Sequence, residues 1–341
     1  MANQKTQVAE TEKILTVSIA AYNGEKTLSK ALESCVVQGI EQLDVIVVDD
    51  GSTDHTSAIA EHYAAQWPDS FRVIRQPNGG YGSALMTGLA NARGKYFRTL
   101  DCDDWFDVDA LKAMLQYLEK CNTDIVFSNY CTVGAEQIQN VFDVCKEYET
   151  KKSYTFDELG QRELDLEIHG MTCRTRMLRA ADIRLPMHCS YTDMAYTFMA
   201  MNAARTISFC PVTLYHYQLG RDGQSVGIDN YQKHFDDYAK VADQIMTLAD
   251  SLPAGDKEER LRNRARDVAQ YGIELLLRFV PGAETKQRLI KYDTALRSRH
   301  PEIARQMTNK NTRMLRASRY GLYGINSWWQ KRKLARMNIG K

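Results

Sequence analysis

The first 130 residues alternate between apolar, β-branched runs and segments with helical periodicity. ILTVSIAAY at 14–22 and LDVIVVDDGS at 43–52 have the composition of buried strands. Between them, Leu28, Leu32 and Val36 share one helical face. Such alternation predicts parallel strand pairing, right-handed crossovers and helices on both faces of a sheet. We therefore predict an α/β fold whose ligands bind at the carboxyl ends of the strands.

The same patterns place the remaining elements. In the first half, strands are predicted at 71–76, 95–101 and 124–130, and helices at 54–67, 81–93 and 107–120. The middle of the chain is mixed, with a strand–helix stretch at 169–183, a helix at 192–204 and short strands at 205–210 and 212–217. The last third is helical, at 230–250, 256–279 and 284–299.

Composition excludes few classes of protein. Apolar residues make up 44% of the chain and the net charge is +1, which is ordinary for a soluble globular protein. Eight cysteines are scattered without a Cys-x-x-Cys pair, so reduced thiols are expected. The polar N-terminus has no signal-peptide pattern, and the apolar runs are too short to span a bilayer. A cytoplasmic location is the expectation.

One cluster of acids follows the strand predicted at 95–101. LDCDDW places Asp101, Asp103 and Asp104 at its carboxyl end, where like charges repel one another. Mg²⁺ and Mn²⁺ prefer oxygen ligands, and an ion held by one or two carboxylates keeps sites for phosphate oxygens. The alternative is a helix N-terminus carrying acids that favour that position.

A second cluster, in VVDDGSTDHT, follows the strand at 43–52. Asp49 and Asp50 precede a Gly-Ser turn, and Asp54 is a candidate helix cap. Carboxylates here could accept hydrogen bonds from a nucleotide base or ribose. The alternative is an Asp-Gly turn that leaves a buried strand.

Four segments together resemble family 2 glycosyltransferases with the GT-A fold: VSIAAYNGEKTLSKALES, VIVVDDGSTDHT, NGGYGSALMTGLANARGKYF and LDCDDW. The resemblance covers 14–120 and implies a nucleotide-sugar donor, most often a UDP-sugar, with Mn²⁺ or Mg²⁺. By position it implies donor contacts from Ala21, Tyr22, Glu25, Asp50, Asn78, Gly79 and Asp101. Asp103 is then the direct metal ligand and Asp104 supports it.

The resemblance also implies an inverting reaction, in which a carboxylate takes the proton of the acceptor hydroxyl. SYTDMAYTFMAMNA, at 190–203, matches the segment that holds this base, so Asp193 is the candidate. Thr192 stands where the family usually has Glu. The alternative role for Asp193 is an interaction with the helix dipole.

LYHYQLGRDGQSVG, at 214–227, matches an aromatic-basic strand and the loop after it. The resemblance places His216 near the metal or diphosphate and Arg221, with Gln224 and Ser225, in a loop over the donor. A packing role for His216 and a surface role for Arg221 are the alternatives. His169, Arg174 and Arg176 are weaker candidates for acceptor or phosphate contact.

The segment 310–341 carries nine basic residues and no acid, with Tyr320, Tyr323, Trp328 and Trp329 interleaved. Basic residues with interfacial aromatics suit an anionic membrane surface, here the inner face of the plasma membrane. Packing on the protein and an oligomer contact are alternatives. No RNA-binding motif accompanies the tail, so nucleic acid is not an expected partner.

We predict four regions: a tail at 1–13, a GT-A domain at 14–225, a helical region at 226–309 and the basic aromatic tail at 310–341. The GT-A domain comprises a donor half, 14–130, and an acceptor half, 131–225.

The predicted activity is transfer of a sugar to a glycan or lipid-linked glycan in cell-surface polysaccharide synthesis. The alternative is a nucleotide- or glycan-binding protein without activity. An oxidoreductase is disfavoured because no Gly-x-Gly-x-x-Gly follows the first strand, and a nucleotidyltransferase because no glycine-rich phosphate loop lies near the N-terminus.

Overall fold

A computed structural model describes residues 13–134, 137–160, 162, 164, 167–220, 224 and 227–338, the side chains of 333–338 excepted. The chain divides into two units. The first comprises 1–188 and 203–220, and the second comprises 189–202 and 221–341. The candidate base Asp193 is thus grouped with the C-terminal helices, and the predicted domain boundaries stay predictions.

The first unit is built around one mixed sheet. Its strands are β1 (Leu15–Ala21), β2 (Leu43–Asp49), β3 (Phe71–Arg75), β4 (Tyr96–Asp101), β5 (Trp105–Phe106), β6 (Ile125–Gly134), β7 (Gln137–Phe142), β8 (Tyr154–Thr155), β9 (Met171–Arg174) and β10 (Thr206–Gln218). The order is β3-β2-β1-β4-β9-β6-β10-β5, with β7 beside β6 and β8 beside β10.

The first four strands of this order are parallel, as the strand–helix alternation predicts. The helices between these strands are α1 (Leu28–Glu33), α2 (Thr56–Gln66) and α3 (Tyr81–Asn91), and α4 (Val108–Lys120) follows β5. The side chain of Asp107 caps α4 by accepting a hydrogen bond from Ala110 N at 2.8 Å. The predicted α/β class with a mainly parallel sheet is confirmed.

The second half of the sheet differs from the sequence-based expectation in the form of β10 and in the presence of β5, β7 and β8. The segment predicted as two short strands is one strand, β10, whose register against β6 shifts between Cys210 and Tyr215. Pro211 lies inside this irregular stretch, because proline has no N–H to donate to a neighbouring strand. The two-residue β5, which no sequence pattern indicated, pairs antiparallel with the end of β10.

The core of the first unit lies between the parallel strands and the helices. Leu15, Val17 and Ile19 of β1 are fully buried, and α3 packs closely against β1. This approach requires glycine at 88, since a Cβ there would lie 1.9 Å from Ser18 Oγ. The next helices are the short α5 (Thr175–Ala180) and α6 (Thr192–Ala203), most of which belongs to the second unit.

The second unit is helical. Its helices are α7 (Ile228–Lys233), α8 (Phe235–Asp250), α9 (Asp256–Arg278), α10 (Ala283–Arg299), α11 (Pro301–Gln306), α12 (Lys310–Ala317) and α13 (Tyr323–Asn338). Its core includes Tyr238 and Val241 of α8 and Leu275 of α9, all fully buried. Across the ranges given above, no helix is both long enough and apolar enough to cross a membrane.

We expect Gly88→Ala to destabilise the protein, because the added methyl group would force α3 away from β1. The free energy of unfolding should fall by about 1–3 kcal/mol, the usual cost of overpacking, when measured by urea denaturation. Gly324→Ala is the matched control, since a Cβ at Gly324 meets no atom within 4 Å. Equal stability of the two variants would contradict the close packing of α3.

Candidate active site

The carboxyl ends of β1, β2 and β4 meet at one edge of the sheet. Ala21 is opposite Asp49 in the parallel register of β1 and β2, and Ala20 is opposite Asp101 in that of β1 and β4. The two acidic clusters identified in the sequence therefore flank the end of β1. This is the edge at which α/β sheets bind their ligands.

Asp50 organises the glycine-rich turn before α3. Its side chain is 3% exposed and accepts hydrogen bonds from Gln76 Nε2 at 2.7 Å, Gly79 N at 2.9 Å and Gly80 N at 2.8 Å. Asn78 Nδ2 donates to the Asp50 carbonyl at 3.0 Å. Asp50, Asn78 and Gly79 are thus brought together, and the first role of the Asp50 carboxylate is to fix this turn. Their contacts with a nucleotide stay predictions.

The loop after β1 is tied to the loop after β2. Gly24 N donates to Thr56 Oγ1 at 2.8 Å, and Glu25 Oε2 accepts from His55 N at 3.1 Å. Ala21 is buried, whereas Tyr22 is 54% exposed. Of the three predicted donor contacts in this loop, Tyr22 therefore offers the most accessible side chain.

Asp101 to Asp104 form a tight turn at the end of β4, hereafter the acid turn. Asp104 N donates to Asp101 O at 3.0 Å and closes it. The Asp104 carboxylate is 1% exposed and accepts from Tyr215 OH at 2.6 Å and Gln218 N at 2.8 Å. Asp101 and Asp103 are half-buried. The last strand of the sheet thus holds the acid turn.

The acid turn and His169 fit a divalent cation. Asp101, Asp104 and His169 offer three ligand atoms that lie within 4.8 Å of one another. Burial, and next the charge of Asp101, raises the pKa of Asp104 well above its usual value, so a cation there would relieve an existing cost. Burial, and next the charge of Arg98, lowers the pKa of His169 to about 4, which keeps its imidazole neutral and able to bind metal. Oxygen ligands with one imidazole suit Mn²⁺ among the hard divalent cations.

His216 lies in a different environment from His169. Its ring stacks on Trp105 with centroids 5.5 Å apart, and Lys30 Nζ lies 3.0 Å from the centroid of the Trp105 ring. Its Nδ1 is buried and has no hydrogen-bond partner. Among the residues the structure describes, the carboxylate–imidazole cluster contains His169 and not His216. The place of His216 at the metal stays a prediction.

Asp193 lies in the first turn of α6, half-buried, in the second unit. Burial raises the pKa of Tyr191, and the charges of Asp237 and then Asp193 act in the same direction. The rings of Tyr191 and Tyr231 stack with centroids 4.7 Å apart. Arg221 and Ser225 lie outside the described residues.

Sequence reasoning missed two residues of this site. Tyr215 reaches the acid turn, and Gln76 bridges Asp50 and Ser83 through its Nε2, at 2.7 Å and 3.0 Å. The sequence offers His169 as a candidate for acceptor or phosphate contact and not as a metal ligand; it lies 68 positions after Asp101. The alternation of LYHYQ was the available signal for Tyr215, since it places Tyr215 and His216 on opposite faces of a strand.

Comparison with solved structures identifies the class of fold. The crystal structure of S. aureus TarS 1–349 in complex with UDP-GlcNAc matches with a TM-score of 0.67 at 19% identity, covering 96% of this chain and 92% of that chain. This likeness and the sheet described above show that the chain has the GT-A fold, as the sequence predicted.

Comparison of sequences identifies the family. The model of Glycosyl transferase family 2 matches residues 16–184, and the chain belongs to this family. EpsH of Bacillus subtilis is 29% identical over 210 residues, which are 60% of each chain. Glycosyltransferase GlyG of Streptococcus pneumoniae is 28% identical over 152 residues, 44% of this chain and 48% of that protein. The chain thus spans 60% of the length of the first relative and less of the second.

Proposed function

We propose that this chain is an inverting glycosyltransferase that requires a divalent cation. It moves a sugar from a UDP-sugar to a hydroxyl of a glycan or lipid-linked glycan in cell-surface polysaccharide synthesis. The observation that carries the proposal is the cluster of two carboxylates and one neutral imidazole at the carboxyl edge of the sheet, in a chain of family 2. The UDP-GlcNAc complex of TarS supports a UDP-sugar as donor.

Several residues of the first unit have roles in this proposal. Asp103 and the cluster of Asp101, Asp104 and His169 would hold the cation, Mn²⁺ or Mg²⁺. When bound, the cation would stabilise the negative charge that develops on the departing diphosphate. The turn organised by Asp50 and the exposed ring of Tyr22 bind the nucleoside. Donor binding at this edge follows the general behaviour of α/β sheets.

Asp193 acts as the general base. Its carboxylate takes the proton of the acceptor hydroxyl while the acceptor oxygen forms a bond to the anomeric carbon. The bond from that carbon to the diphosphate oxygen breaks, and UDP leaves with the bonding electron pair. No covalent bond forms between sugar and protein, so the configuration at the anomeric carbon inverts.

The C-terminal helix α13 supports a contact with an anionic membrane. One face packs on α9 and the rest of the second unit. Asn326 and Ser327 on this face are 1% exposed, and Ser327 Oγ donates a hydrogen bond to Leu277 O at 2.8 Å. The other face presents Ile325, Trp328 and Trp329, which are 50–57% exposed. The Arg332 guanidinium lies 4.6 Å from the Trp328 ring, so cation and aromatic ring share this face. Helix α13 thus has one buried face and one exposed apolar face, and we propose that the exposed face binds the membrane and brings the enzyme to lipid-linked acceptors.

Asp103→Ala should abolish the stabilisation of the protein by UDP with Mn²⁺. In the native protein, UDP at about 100 times its Kd adds about 2.7 kcal/mol of stability, which raises the melting temperature by several degrees. EDTA should remove this shift. Asp109→Ala, an exposed acid in the first turn of α4, is the control. If the Mn²⁺-dependent rise in melting temperature were undiminished in Asp103→Ala, Asp103 would not be a ligand of the metal. No shift in the native protein would favour a binding protein of another kind.

Asp193→Asn should keep the UDP–Mn²⁺ thermal shift and lose transfer by a factor of about 10²–10⁴, the usual contribution of a general base. Transfer is measured as UDP released from a UDP-sugar in the presence of a cell-surface glycan fraction. Asp256→Asn is the matched control, because Asp256 is an exposed acid in the first turn of α9. Activity retained equally by both variants would reduce Asp193 to an acid that interacts with the helix dipole.

Replacing Trp328 and Trp329 together by Ala should weaken binding to vesicles that contain phosphatidylglycerol by about tenfold or more, because the interfacial anchors are lost. Binding is measured by co-sedimentation, with vesicles of zwitterionic phosphatidylcholine, which carry no net charge, as the reference. The control replaces Ile138 and Val141 of β7, which are 56% and 55% exposed, by Ala. Equal binding by both variants, or none by the native protein, would contradict the membrane contact.

A further inference from the structure

One phenolic oxygen contacts both ends of the acid turn. Tyr215 OH donates a hydrogen bond to Asp104 Oδ2 at 2.6 Å and accepts one from Asp101 N at 3.2 Å. The two residues are the first and last of the acid turn, and Asp103 lies between them. This single oxygen therefore links the two ends of the acid turn, in addition to the backbone hydrogen bond from Asp104 N to Asp101 O.

Tyr215 is itself held firmly. Its side chain is 2% exposed, and its ring packs edge-on against Phe106 and His169, with centroids 5.8 Å and 4.9 Å away. Phe106 is its partner across the β5–β10 pairing. Gln218 N donates to the other oxygen of Asp104 at 2.8 Å, so both oxygens of this carboxylate accept a hydrogen bond from β10.

Other buried tyrosines of this chain satisfy their hydroxyl groups differently. Tyr96 OH donates to the carbonyl of Thr123 at 2.9 Å, and Tyr238 OH donates to the carbonyl of Val268 at 2.6 Å. A backbone carbonyl is thus sufficient for a buried phenol. Tyr215 instead contacts a carboxylate of the candidate metal site and a backbone amide of the same turn.

We propose that Tyr215 is a positioning residue for the metal site: its hydroxyl group fixes the acid turn so that the carboxylates and His169 converge on one cation. The inference rests on the proposed function, because it takes the acid turn as the place where the cation binds. The tyrosine does not need to contact the cation or the donor. Residues that orient metal ligands in this way typically change metal affinity by about 10–100-fold when they are replaced.

The test measures the Kd of Mn²⁺ by electron paramagnetic resonance, with and without saturating UDP. Tyr215→Phe should raise the Kd by about 10–100-fold, because it removes one hydroxyl group and keeps the ring. Tyr96→Phe is the matched control. It removes a buried hydroxyl from the opposite end of β4, where none of the candidate metal ligands lies. The Kd of Mn²⁺ should therefore stay within about twofold of the native value.

A second variant keeps the inference testable if Tyr215→Phe does not fold. 4-Aminophenylalanine at position 215 restores a weaker donor at the same point of the ring, and its Kd should lie between those of the native protein and the phenylalanine variant. A native Kd in both variants would overturn the inference while the proposed function stands. Absence of Mn²⁺ binding by the native protein with UDP would overturn the metal site and this inference with it.

Discussion

The burial of neighbouring carboxylates at the end of β4 is the constraint on which the carboxyl edge of the sheet depends. Burial, and next the charge of Asp101, raises the pKa of Asp104. The fold stabilises the Asp104 carboxylate with two hydrogen bonds from β10, a strand that begins 102 positions later, at Thr206. The edge of the sheet is therefore completed only when the last strand has joined it. A divalent cation would remove the remaining repulsion, which is why this edge suits a diphosphate with its metal.

The buried acids of the first unit differ in what they do. Asp44 and Asp50 are at most 3% exposed and are surrounded by donors; Asp44 accepts from Thr16 Oγ1 and Arg72 Nε at 2.8 Å and 2.7 Å. Such carboxylates serve as fixed points for loops. Asp101 and Asp103 are half-buried and thus more exposed than Asp44, Asp50 and Asp104. Rigid loops around accessible acids are what a site needs in order to bind a charged ligand without rearranging.

The sequence was sufficient for the class of fold and for the acids, because the strands alternate with helices and the acids follow the strands directly. It was not sufficient for His169 and Tyr215, which reach the acid turn only through the pairing of β9, β6 and β10. It also favoured His216 over Tyr215. Neighbouring residues in a strand point to opposite faces of the sheet. Which of the two residues faces the acid turn depends on the register of β10 against β6, and the irregular pairing that sets this register leaves no sign in the sequence periodicity.

That distortion has a consequence for the whole strand. From Cys210 to Tyr215 β10 advances five residues, while β6 advances two, from Ser128 to Tyr130, so β10 carries three extra residues. Three is an odd number, and each extra residue exchanges the two faces of the strand. Phe209 and Tyr215 are six residues apart and would share a face in a regular strand, yet they point to opposite sides of the sheet. A single deletion within 211–214 that shifted the rest of β10 by one residue would therefore turn the phenol of Tyr215 away from the acids and put the imidazole of His216 in its place, and a single insertion would put the side chain of Leu214 there.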